Sequence, residues 1–334
     1  MKQKRLLDGI GSPSPLSLRD YERLGGYEAL KKAIQDISSV IPEITASGLR
    51  GRSGSGFPTG TKWALTAQCE SNEKYVICNA DEGEPGTGKD RLLLKEKPHL
   101  VIEGMIIAGL AVGAKIGYIY LRGEYAFLSS VLDNALAAAR EAGYIGKNIL
   151  GSGMDFDITV RHGAGAYLCG EETALIESIE GNRAEVRQKP PYPGTNGLWN
   201  RPTLLNNVET LANIPLILTM GAAEYRKTGT EKNPGTKLVT LSGCVQRPGV
   251  YEIPLGMPIQ EIYETLGGGT PEGKRLFAVQ TGGASGPFLL ADKLNTPFDI
   301  ESCRDAGVTL GVGDLMFIGE DADALSLAAT LVHF

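Results

Sequence analysis

Cysteine and histidine are scarce in this sequence, and their spacing limits the metal chemistry that the chain can hold. Its 334 residues include five cysteines and three histidines, and no two cysteines form a CxxC pair. A disulfide framework, or a metal or iron–sulfur site held by four cysteines, needs closely spaced cysteines. The sequence predicts neither, and we expect no metal site in this chain.

Long apolar runs and an excess of positive charge are also missing. The longest apolar stretch, residues 101–114, contains Glu103 and is shorter than the roughly 20 residues that cross a membrane. The net charge of −6 provides no bulk attraction to nucleic acid or to an anionic membrane. The first residues lack the apolar centre of a secretion signal. We therefore expect a cytoplasmic protein with no nucleic-acid partner and no direct membrane insertion.

Glycine, by contrast, is abundant, at 44 residues of 334. The densest run, GLRGRSGSGFPTG, spans residues 48–60 and leads into a helical pattern that contains Lys62. Glycines let backbone N–H groups approach a ligand closely, and Arg50, Arg52 and Lys62 add positive charge. The run matches neither GxxxxGK[ST] nor GxGxxG. It indicates a phosphate-binding loop, with a flexible surface loop as the alternative.

Apolar runs and amphipathic stretches alternate through the first two-thirds of the chain. Residues 74–80 and 117–123 are typical of strands, and the stretch between them, 98–114, is typical of a helix. A further helix pattern covers residues 124–143, and a further strand pattern covers 155–163. Strand, helix and strand in this order predict parallel, right-handed units. We expect an α/β layered domain.

The last third has a different pattern. A polar, turn-rich stretch, residues 224–237, predicts a linker. Beyond it, two strand patterns flank the turn QRPG at 246–249 as a hairpin, and a short helix pattern at 259–269 precedes a third strand at 275–283. These elements predict a small α+β module. At the other end of the chain, residues 1–25 are predicted to be a polar extension with Ser-Pro repeats at 12–15.

Two further segments carry side chains suited to ligand binding. Residues 79–91 place carboxylates directly after a strand, where they can accept hydrogen bonds from ribose hydroxyls or flavin N–H groups. A solvated acidic turn is the alternative, and the spacing does not fit a calcium loop. Residues 163–173 bring glycines and two glutamates to a helix start, which indicates either a second ligand site or carboxylates stabilised by the helix dipole.

Two more segments have a local explanation beside the functional one. The proline-rich residues 189–193 would hold Lys189 and Tyr192 out from the body of the domain, as in stacking on a base, or would bridge two layers. Asn206 and Asn207 precede a helix pattern, where side-chain amides usually act as caps.

Together, in this order and spacing, these segments resemble one family. It is the NADH-oxidising FMN flavoprotein subunit of respiratory complex I, which is shared with NAD-linked hydrogenases and formate dehydrogenases. The segments that carry the resemblance are GLRGRSGSGFPTGTKW, NADEGEPG, GAGAYLCGEETAL and PTLLNNVET. The resemblance extends over residues 25–334.

The resemblance implies a domain organisation. It implies a Rossmann-like FMN- and NADH-binding α/β domain over residues 26–228, followed by a ubiquitin-like (β-grasp, SLBB-type) α+β domain over 236–319. We expect residues 320–334 to begin a truncated helical region. In the family this region leads into a module with a [4Fe–4S] cluster, for which this chain has no ligands.

The resemblance also implies roles for individual residues. Phe57 and Tyr192 are expected to stack on adenine, Glu84 to meet the nicotinamide carboxamide, and Lys189 to lie near the dinucleotide. Glu172 is expected to contact the adenosine ribose 2′-hydroxyl, where its charge would repel the additional phosphate of NADPH. The residues expected to bind the cofactor are Gly51, Arg52, Ser53, Gly54, Gly56, Lys62, Asn79, Asp81, Glu82, Tyr167, Gly170, Glu171, Glu172, Asn206, Asn207 and Thr210.

The implied reaction is hydride transfer from NADH to FMN, with no side chain needed as a general acid or base. Electrons would then pass singly to iron–sulfur clusters of partners, among them a thioredoxin-like [2Fe–2S] subunit, in a quinone-reducing complex on the cytoplasmic face of the membrane. A diaphorase subunit of a soluble hydrogenase or formate dehydrogenase is one alternative, and a non-catalytic docking scaffold is another. The chain departs from the family pattern at Ser53, where glycine is usual, and at Leu65, where a second aromatic is frequent.

Overall fold

The chain divides into two compact units in a computed structural model that describes residues 6–10 and 16–334. The Ser-Pro repeats at 12–15 lie outside the described residues. Most of the first unit precedes residue 226, and most of the second follows it. Two short segments of the first part of the chain, Arg52–Gly56 and Glu84–Lys89, nevertheless group with the second unit.

The first unit contains a four-stranded sheet and the helices around it. Its strands are β1 (Tyr75–Ala80), β2 (Ile116–Leu121), β3 (Asp157–His162) and β4 (Thr203–Asn207). Its α-helices are α1 (Leu18–Arg23), α2 (Glu28–Gln35), α3 (Val40–Ser47), α4 (Thr59–Gln68), α5 (Lys89–Glu96), α6 (Pro98–Val112), α7 (Ser129–Glu141), α8 (Glu172–Glu180), α9 (Val208–Met220) and α10 (Ala222–Tyr225).

All pairings in this sheet are parallel, and the strand order is β3-β2-β1-β4. From β1 the chain moves to β2 and then to β3 in one direction, but it crosses back over β1 to reach β4. This reversal of direction lies between β1 and β4, where Asn79 is in register with Asn207. In open parallel sheets, ligands bind at the carboxyl ends of the strands at such a reversal. The predicted strand, helix and strand order is confirmed.

Helices cover both faces of the sheet. On one face, α6 packs against α9 so closely that a side chain on Gly104 would collide with the backbone of Leu211. Glycine at this position therefore sets the distance between the two helices. On the other face, Ile77 and Tyr120 pack with Leu175 and Ile176 of α8. Burial of each aliphatic side chain of this kind stabilises the unit by about 1.5–3 kcal/mol.

The second unit is built on a mixed five-stranded sheet. Its strands are β5 (Thr236–Gly243), β6 (Gly249–Pro254), β7 (Leu276–Thr281), β8 (Phe288–Leu290) and β9 (Asp314–Gly319), and its α-helices are α11 (Ile259–Glu261), α12 (Ile300–Asp305) and α13 (Ala324–His333). The strand order is β6-β5-β9-β7-β8. β5 and β6 form the predicted antiparallel hairpin, and β9 runs parallel to β5. Ile253, Phe298 and Phe317 lie in the core of the unit.

Several elements differ from the sequence prediction. Helix α1 and the buried Tyr21 lie within residues 1–25, which were predicted to be a polar extension, and β8, β9 and α12 were not predicted. The helix pattern that begins at Glu124 contains a 3-10 helix, Gly123–Leu128, before α7 starts at Ser129. The short helix predicted at 259–269 is one turn of α-helix followed by the π-helix Ile262–Leu266. β4 was not predicted, because its five residues directly precede a helix and carry two asparagines. None of the helices in the described part of the chain has the length and apolar character needed to cross a membrane.

Candidate functional site

Asn79 stands at the carboxyl end of β1, beside the reversal in the sheet. Its amide group donates a hydrogen bond from Nδ2 to the carbonyl of Gly170 (2.9 Å) and accepts one at Oδ1 from the backbone N–H of Asp81 (3.0 Å). This side chain therefore joins the predicted segments 79–91 and 163–173. A primary amide carries two N–H donors, so Asn79 retains donor capacity for a ligand.

Asn206 and Asn207 end the neighbouring strand β4, and the structure separates their roles. Asn207 Oδ1 accepts from the N–H of Glu209 (3.0 Å), which confirms the capping interpretation for this residue. Its Nδ2 donates to Asp90 (2.7 Å). Asn206 instead belongs to the strand and accepts from the indole N–H of the buried Trp63 (2.9 Å), so the capping interpretation is wrong for it. Sequence reasoning missed both partners, Trp63 and Asp90.

Four charged side chains meet near this edge. Glu172 accepts from Lys62 (3.2 Å) and from Lys189 (2.8 Å), and Lys189 also reaches Glu171 (2.8 Å). Lys62 donates in addition to the carbonyl of Leu205 in β4 (2.9 Å). We call Lys62, Glu171, Glu172 and Lys189 the charge cluster. It brings together residues from three of the segments that the sequence analysis singled out.

The two lysines control the ionisation of Glu172. Burial alone would raise the pKa of this carboxyl, but the positive charges of Lys62 and Lys189 outweigh burial and lower the pKa below its ordinary value. Burial also works against the charge of Lys189, and the two glutamates reverse that effect and raise the pKa of Lys189. Glu172 is therefore a carboxylate, and Lys189 an ammonium group, across the neutral pH range.

Glu171 acts as a helix cap, and Lys189 lies closer to the body of the domain than the sequence predicts. The carboxylate of Glu171 caps α8, because it accepts from the N–H groups of Thr173 (2.7 Å) and Ala174 (3.0 Å). Lys189 was predicted to be held away from the body of the domain, and this prediction is wrong because both glutamates draw its ammonium group inward. Tyr192, three residues later, does project, with 61% of its surface exposed.

The acidic segment after β1 contains two carboxylates with different environments. Burial raises the pKa of Asp81 to about 6, and the nearby Arg122 only partly opposes this shift. Glu82 is more deeply buried and accepts from the N–H groups of Asp90 (3.0 Å) and Arg91 (3.0 Å) and from Tyr125 (3.0 Å). Its carboxylate therefore organises the start of α5, which is a structural task that the sequence did not reveal.

The glycine-rich run is shared between the two units. In the first unit, Gly51 donates its N–H to the carbonyl of Phe57 (2.9 Å). In the second unit, Arg52 is buried and donates to the carbonyl of Pro234 (2.8 Å). The expectation that Arg52 adds charge to a phosphate site is not supported, because its guanidinium holds the loop instead. Gly54 and Gly56 have φ values of +107° and +61°, and Ser53 is exposed.

Glu84 groups with the second unit, and so do its partners Ala284 and Thr87. Its carboxylate Oε1 accepts from the N–H of Ala284 (2.6 Å), and its backbone carbonyl accepts from the hydroxyl of Thr87 (2.6 Å). Both ends of this residue are therefore held.

Several aromatic rings of the first unit are exposed. Phe57 and Tyr167, like Tyr192, leave about half or more of their surface uncovered. Tyr167 packs beside Gly83 of the acidic segment. Leu65, where the family often has a second aromatic, is also exposed. Exposed rings supply flat apolar surface that a base or another ring can cover.

Thr210, another predicted site residue, is fully buried in the first turn of α9.

The chemistry of these residues fits a flavin mononucleotide. The amide of Asn79 retains donor capacity suited to the polar edge of a flavin ring, and Lys62 supplies a positive charge for a phosphate. The hydroxyl of Thr59, in the first turn of α4, is buried, and no partner for it lies in the described part of the chain. A buried polar atom of this kind needs a partner. A phosphate at the start of α4 would provide one.

Comparison with known proteins identifies the family. The Nuo51 FMN-binding domain family matches residues 44–216, and the SLBB domain family matches residues 238–289. An NADH-quinone oxidoreductase subunit of Escherichia coli (strain K12) is 46% identical over 323 residues, which cover 96% of this chain and 73% of that protein. An NADH-quinone oxidoreductase subunit of Rhizobium meliloti (strain 1021) is 43% identical over 98% of this chain and 79% of its own length.

Relatives with other names are similarly close. NADP-reducing hydrogenase subunit HndC of Solidesulfovibrio fructosivorans is 45% identical over the full chain and 68% of its own length. Among solved structures, an air-oxidised NAD⁺-reducing [NiFe]-hydrogenase has a TM-score of 0.80 and 39% identity over 90% of this chain. This chain spans half the length of that hydrogenase chain. The matches extend across both units, and the chain therefore belongs to the Nuo51 FMN-binding family of oxidoreductase flavoproteins, with an SLBB domain in its second unit.

Proposed function

We propose that this chain is an NADH dehydrogenase flavoprotein subunit, which takes a hydride from NADH onto bound FMN. One observation carries the proposal beyond family membership. The carboxyl ends of β1 and β4 meet at the reversal of the sheet, and the amides of Asn79 and Asn207 and the ammonium group of Lys62 converge there. This is the position and the donor chemistry that a flavin nucleotide requires.

The residues of the chain bind and orient, and the bound group supplies the reactivity. Bound FMN would supply the ability to accept a hydride and to release electrons one at a time. Asn79, Asn206 and Asn207 would orient the ring edge, while Lys62 and the start of α4 would hold the phosphate. Correct placement of two reactants contributes much of the rate in such reactions. Gly51, Gly54, Gly56, Asp81, Gly170 and Thr210 remain proposed members of this site.

The charge cluster supports a proposal for the choice of nucleotide. Glu172, kept ionised by Lys62 and Lys189, would accept a hydrogen bond from the adenosine ribose 2′-hydroxyl. The same negative charge would repel the 2′-phosphate of NADPH. Phe57 and Tyr192 would stack on adenine, and Glu84 would accept from the nicotinamide carboxamide. NADH is therefore the proposed donor, although one relative is named as NADP-reducing.

We propose that the electrons leave the flavin through partner subunits. The relatives are named as subunits of larger assemblies. We therefore propose that a thioredoxin-like [2Fe–2S] subunit and a further iron–sulfur subunit receive the electrons. In this proposal the iron–sulfur subunits pass the electrons to quinone, in a cytoplasmic complex at the membrane surface.

A second candidate is the diaphorase subunit of a soluble hydrogenase. The hydrogenase named among the solved structures and the hydrogenase subunit among the relatives favour it. The flavin and nucleotide sites would be the same in both cases. Identification of the subunits that purify with this chain from its own organism separates the two, since only one of them includes a [NiFe] or other hydrogenase subunit.

The test of the proposed function uses the purified chain mixed with FMN. After removal of free flavin, we expect a yellow protein whose visible flavin absorbance bleaches when NADH is added without oxygen, and which reduces ferricyanide. NADPH should bleach it much more slowly. A protein that retains no FMN, or that retains FMN which NADH does not reduce, would contradict the proposal and would favour a docking scaffold.

A further inference from the structure

Two carboxylates in the second unit hold two consecutive backbone N–H groups. Asp314 Oδ2 accepts from the N–H of Gly283 (2.7 Å), and Glu84 Oε1 accepts from the N–H of Ala284 (2.6 Å). Hydrogen bonds to ionised acceptors are stronger than neutral ones. Asp314 therefore holds the loop that follows β7 through the N–H of Gly283. The N–H of Ala284, the next residue of that loop, holds the carboxylate of Glu84.

The fit between this loop and Glu84 leaves no room for a side chain. Gly283 has φ +92°, a conformation that residues with a Cβ rarely adopt. A Cβ built on Gly283 would collide with the carboxylate of Glu84. The absence of a side chain at Gly283 thus permits the carboxylate to lie directly against the backbone.

The loop itself is supported from the core of the unit. Gln280, buried in β7, donates from Nε2 to the carbonyls of Ala284 (3.2 Å) and Gly286 (3.1 Å). Asp314 is buried at the first position of β9, the strand between β5 and β7. Both supporting side chains therefore stand on strands of the sheet, which restricts their movement.

We propose that the Gly283–Ala284 loop, with Asp314 and Gln280 as positioning residues, sets the carboxylate of Glu84 in place to accept from the carboxamide of NADH. This inference rests on the proposed function, in which Glu84 contacts the nicotinamide. A carboxylate has two oxygens with two acceptor sites each, so Glu84 can accept from Ala284 and from a carboxamide at the same time.

The proposal predicts an effect on nucleotide affinity and not on flavin retention. Glu84→Gln and Gly283→Ala should each raise the Kd for NAD⁺ and the KM for NADH about tenfold, because a hydrogen bond to a charged group contributes about that factor. The FMN content of both variants should change less than twofold. We would measure NAD⁺ binding by calorimetry on the FMN-loaded chain and KM with ferricyanide.

Gly273 provides a matched control. It lies in the same unit with φ +76°, and a Cβ there would meet no atom within 4 Å. Gly273→Ala therefore introduces similar backbone strain without touching Glu84, and it should change the Kd for NAD⁺ less than twofold. Equal effects of Gly283→Ala and Gly273→Ala would overturn the proposal.

A second comparison separates positioning from general damage. In the Glu84→Gln background, Gly283→Ala should add less than a twofold further loss of NAD⁺ affinity, because both changes act through one contact. Asp314→Asn retains an acceptor for Gly283 and should bind NAD⁺ nearly normally, whereas Asp314→Val should weaken binding. A full additional loss in the double variant, or equal binding by the two Asp314 variants, would contradict the proposal.

Amide hydrogen exchange, followed by NMR, tests the contact without any bound cofactor. The N–H of Ala284 should exchange at least tenfold faster in Glu84→Ala than in the wild type, because alanine removes the acceptor, and the N–H of Gly283 should do so in Asp314→Val. Unchanged exchange would overturn the proposal. Failure of the wild type to bind FMN would overturn the proposed function and the nicotinamide role with it. Normal NAD⁺ affinity of Glu84→Gln in an FMN-binding protein would overturn this inference alone.

Discussion

Ionised side chains lie in two regions of the molecule, but they face different groups. One region is the charge cluster near the carboxyl ends of β1 and β4 in the first unit, and the other is the loop after β7 in the second unit. In the charge cluster, Lys62, Glu172 and Lys189 face one another and remain partly exposed. In the second unit, Asp314 is buried and faces a backbone N–H. Charges that face other side chains can be shared with an incoming ligand, whereas a charge committed to the backbone fixes the shape of a loop.

This difference separates two kinds of functional residue. Lys62 and Glu172 of the charge cluster are expected to touch a ligand, so their replacement should change binding with little change in folding. Glu171 belongs to the same cluster but caps α8, so its replacement should change stability. A buried residue such as Asp314 acts through the backbone that it holds, so its replacement should appear first in stability and in pH dependence. The four predictions below test that separation, in order of decreasing expected effect.

The largest expected effect is on the pH dependence of stability. Burial raises the pKa of Asp314 to about 6, Glu84 adds to the shift and Lys237 opposes it. A raised pKa means that the folded state holds the proton more tightly, so this contribution to stability is complete at low pH and is lost as the pH rises through 6. Relative to Asp314→Asn, the wild type should lose about 3 kcal/mol of unfolding free energy between pH 3 and pH 8. Urea unfolding at several pH values measures it.

The exposed Asp292 offers a control for this measurement. Asp292→Asn should leave the pH dependence of unfolding parallel to that of the wild type. If the Asp314→Asn curve is also parallel to the wild-type curve, then Asp314 does not carry the buried charge that the structure assigns to it.

The next effect concerns flavin retention. Lys62→Ala removes the ammonium group beside Glu172 and Leu205, and we expect the Kd for FMN to rise about 100-fold, since a hydrogen bond from a charged donor to phosphate contributes up to about 3 kcal/mol. Fluorescence titration of the apoprotein with FMN gives the Kd. Lys31→Ala, which removes an exposed charge paired with Glu28, is the control and should bind FMN normally. Full flavin content in Lys62→Ala would remove this residue from the site.

A smaller effect is expected on nucleotide choice. Glu172→Gln removes the negative charge that would repel a 2′-phosphate, so the ratio of kcat/KM for NADPH to that for NADH should rise about tenfold. Steady-state kinetics with ferricyanide measure this ratio. Glu177→Gln, on the same helix but paired with Arg187, should leave the ratio unchanged. An identical ratio in Glu172→Gln and the wild type would contradict the ribose assignment.

The smallest effect is on the neighbouring glutamate. Glu171 caps α8, and replacement of an N-cap by alanine usually costs about 1 kcal/mol. Glu171→Ala should therefore lower the thermal midpoint by a few degrees while the NADPH to NADH ratio stays at the wild-type value. Scanning calorimetry gives the midpoint. A changed ratio with unchanged stability would assign Glu171 to the ligand and not to the helix.

Local pattern was sufficient for most of the fold and for part of the site. The succession of apolar runs predicted β1, α6 and β2. These elements are buried on nearly every residue, so their lengths, and not a one-sided periodicity, separate strand from helix. The strand pattern at 155–163 predicted β3. The strand β4 was missed because its two asparagines resemble a helix cap. The cap at Asn207 was predictable from the adjacent helix pattern, whereas the contact between Asn206 and Trp63 joins residues 143 positions apart.

Contacts between residues far apart in the sequence determine the positions of the remaining site residues. Lys189 was expected to project because its proline-rich neighbours are stiff, but the carboxylates of Glu171 and Glu172 outweigh that local preference. Arg52 looked like a phosphate ligand in the glycine-rich run, and only the fold shows its bond to Pro234. The contact between Glu84 and Ala284 spans 200 positions and has no local signal in the sequence.

The most direct test of the account is a crystal structure of the chain grown with FMN and then soaked with NAD⁺. The account predicts the flavin at the carboxyl ends of β1 and β4, with its phosphate near Lys62 and its ring edge at Asn79 and Asn207. It also predicts the NAD⁺ ribose at Glu172. Flavin bound anywhere else on the chain would contradict this prediction. So would a structure at saturating FMN with no flavin at the carboxyl ends of β1 and β4.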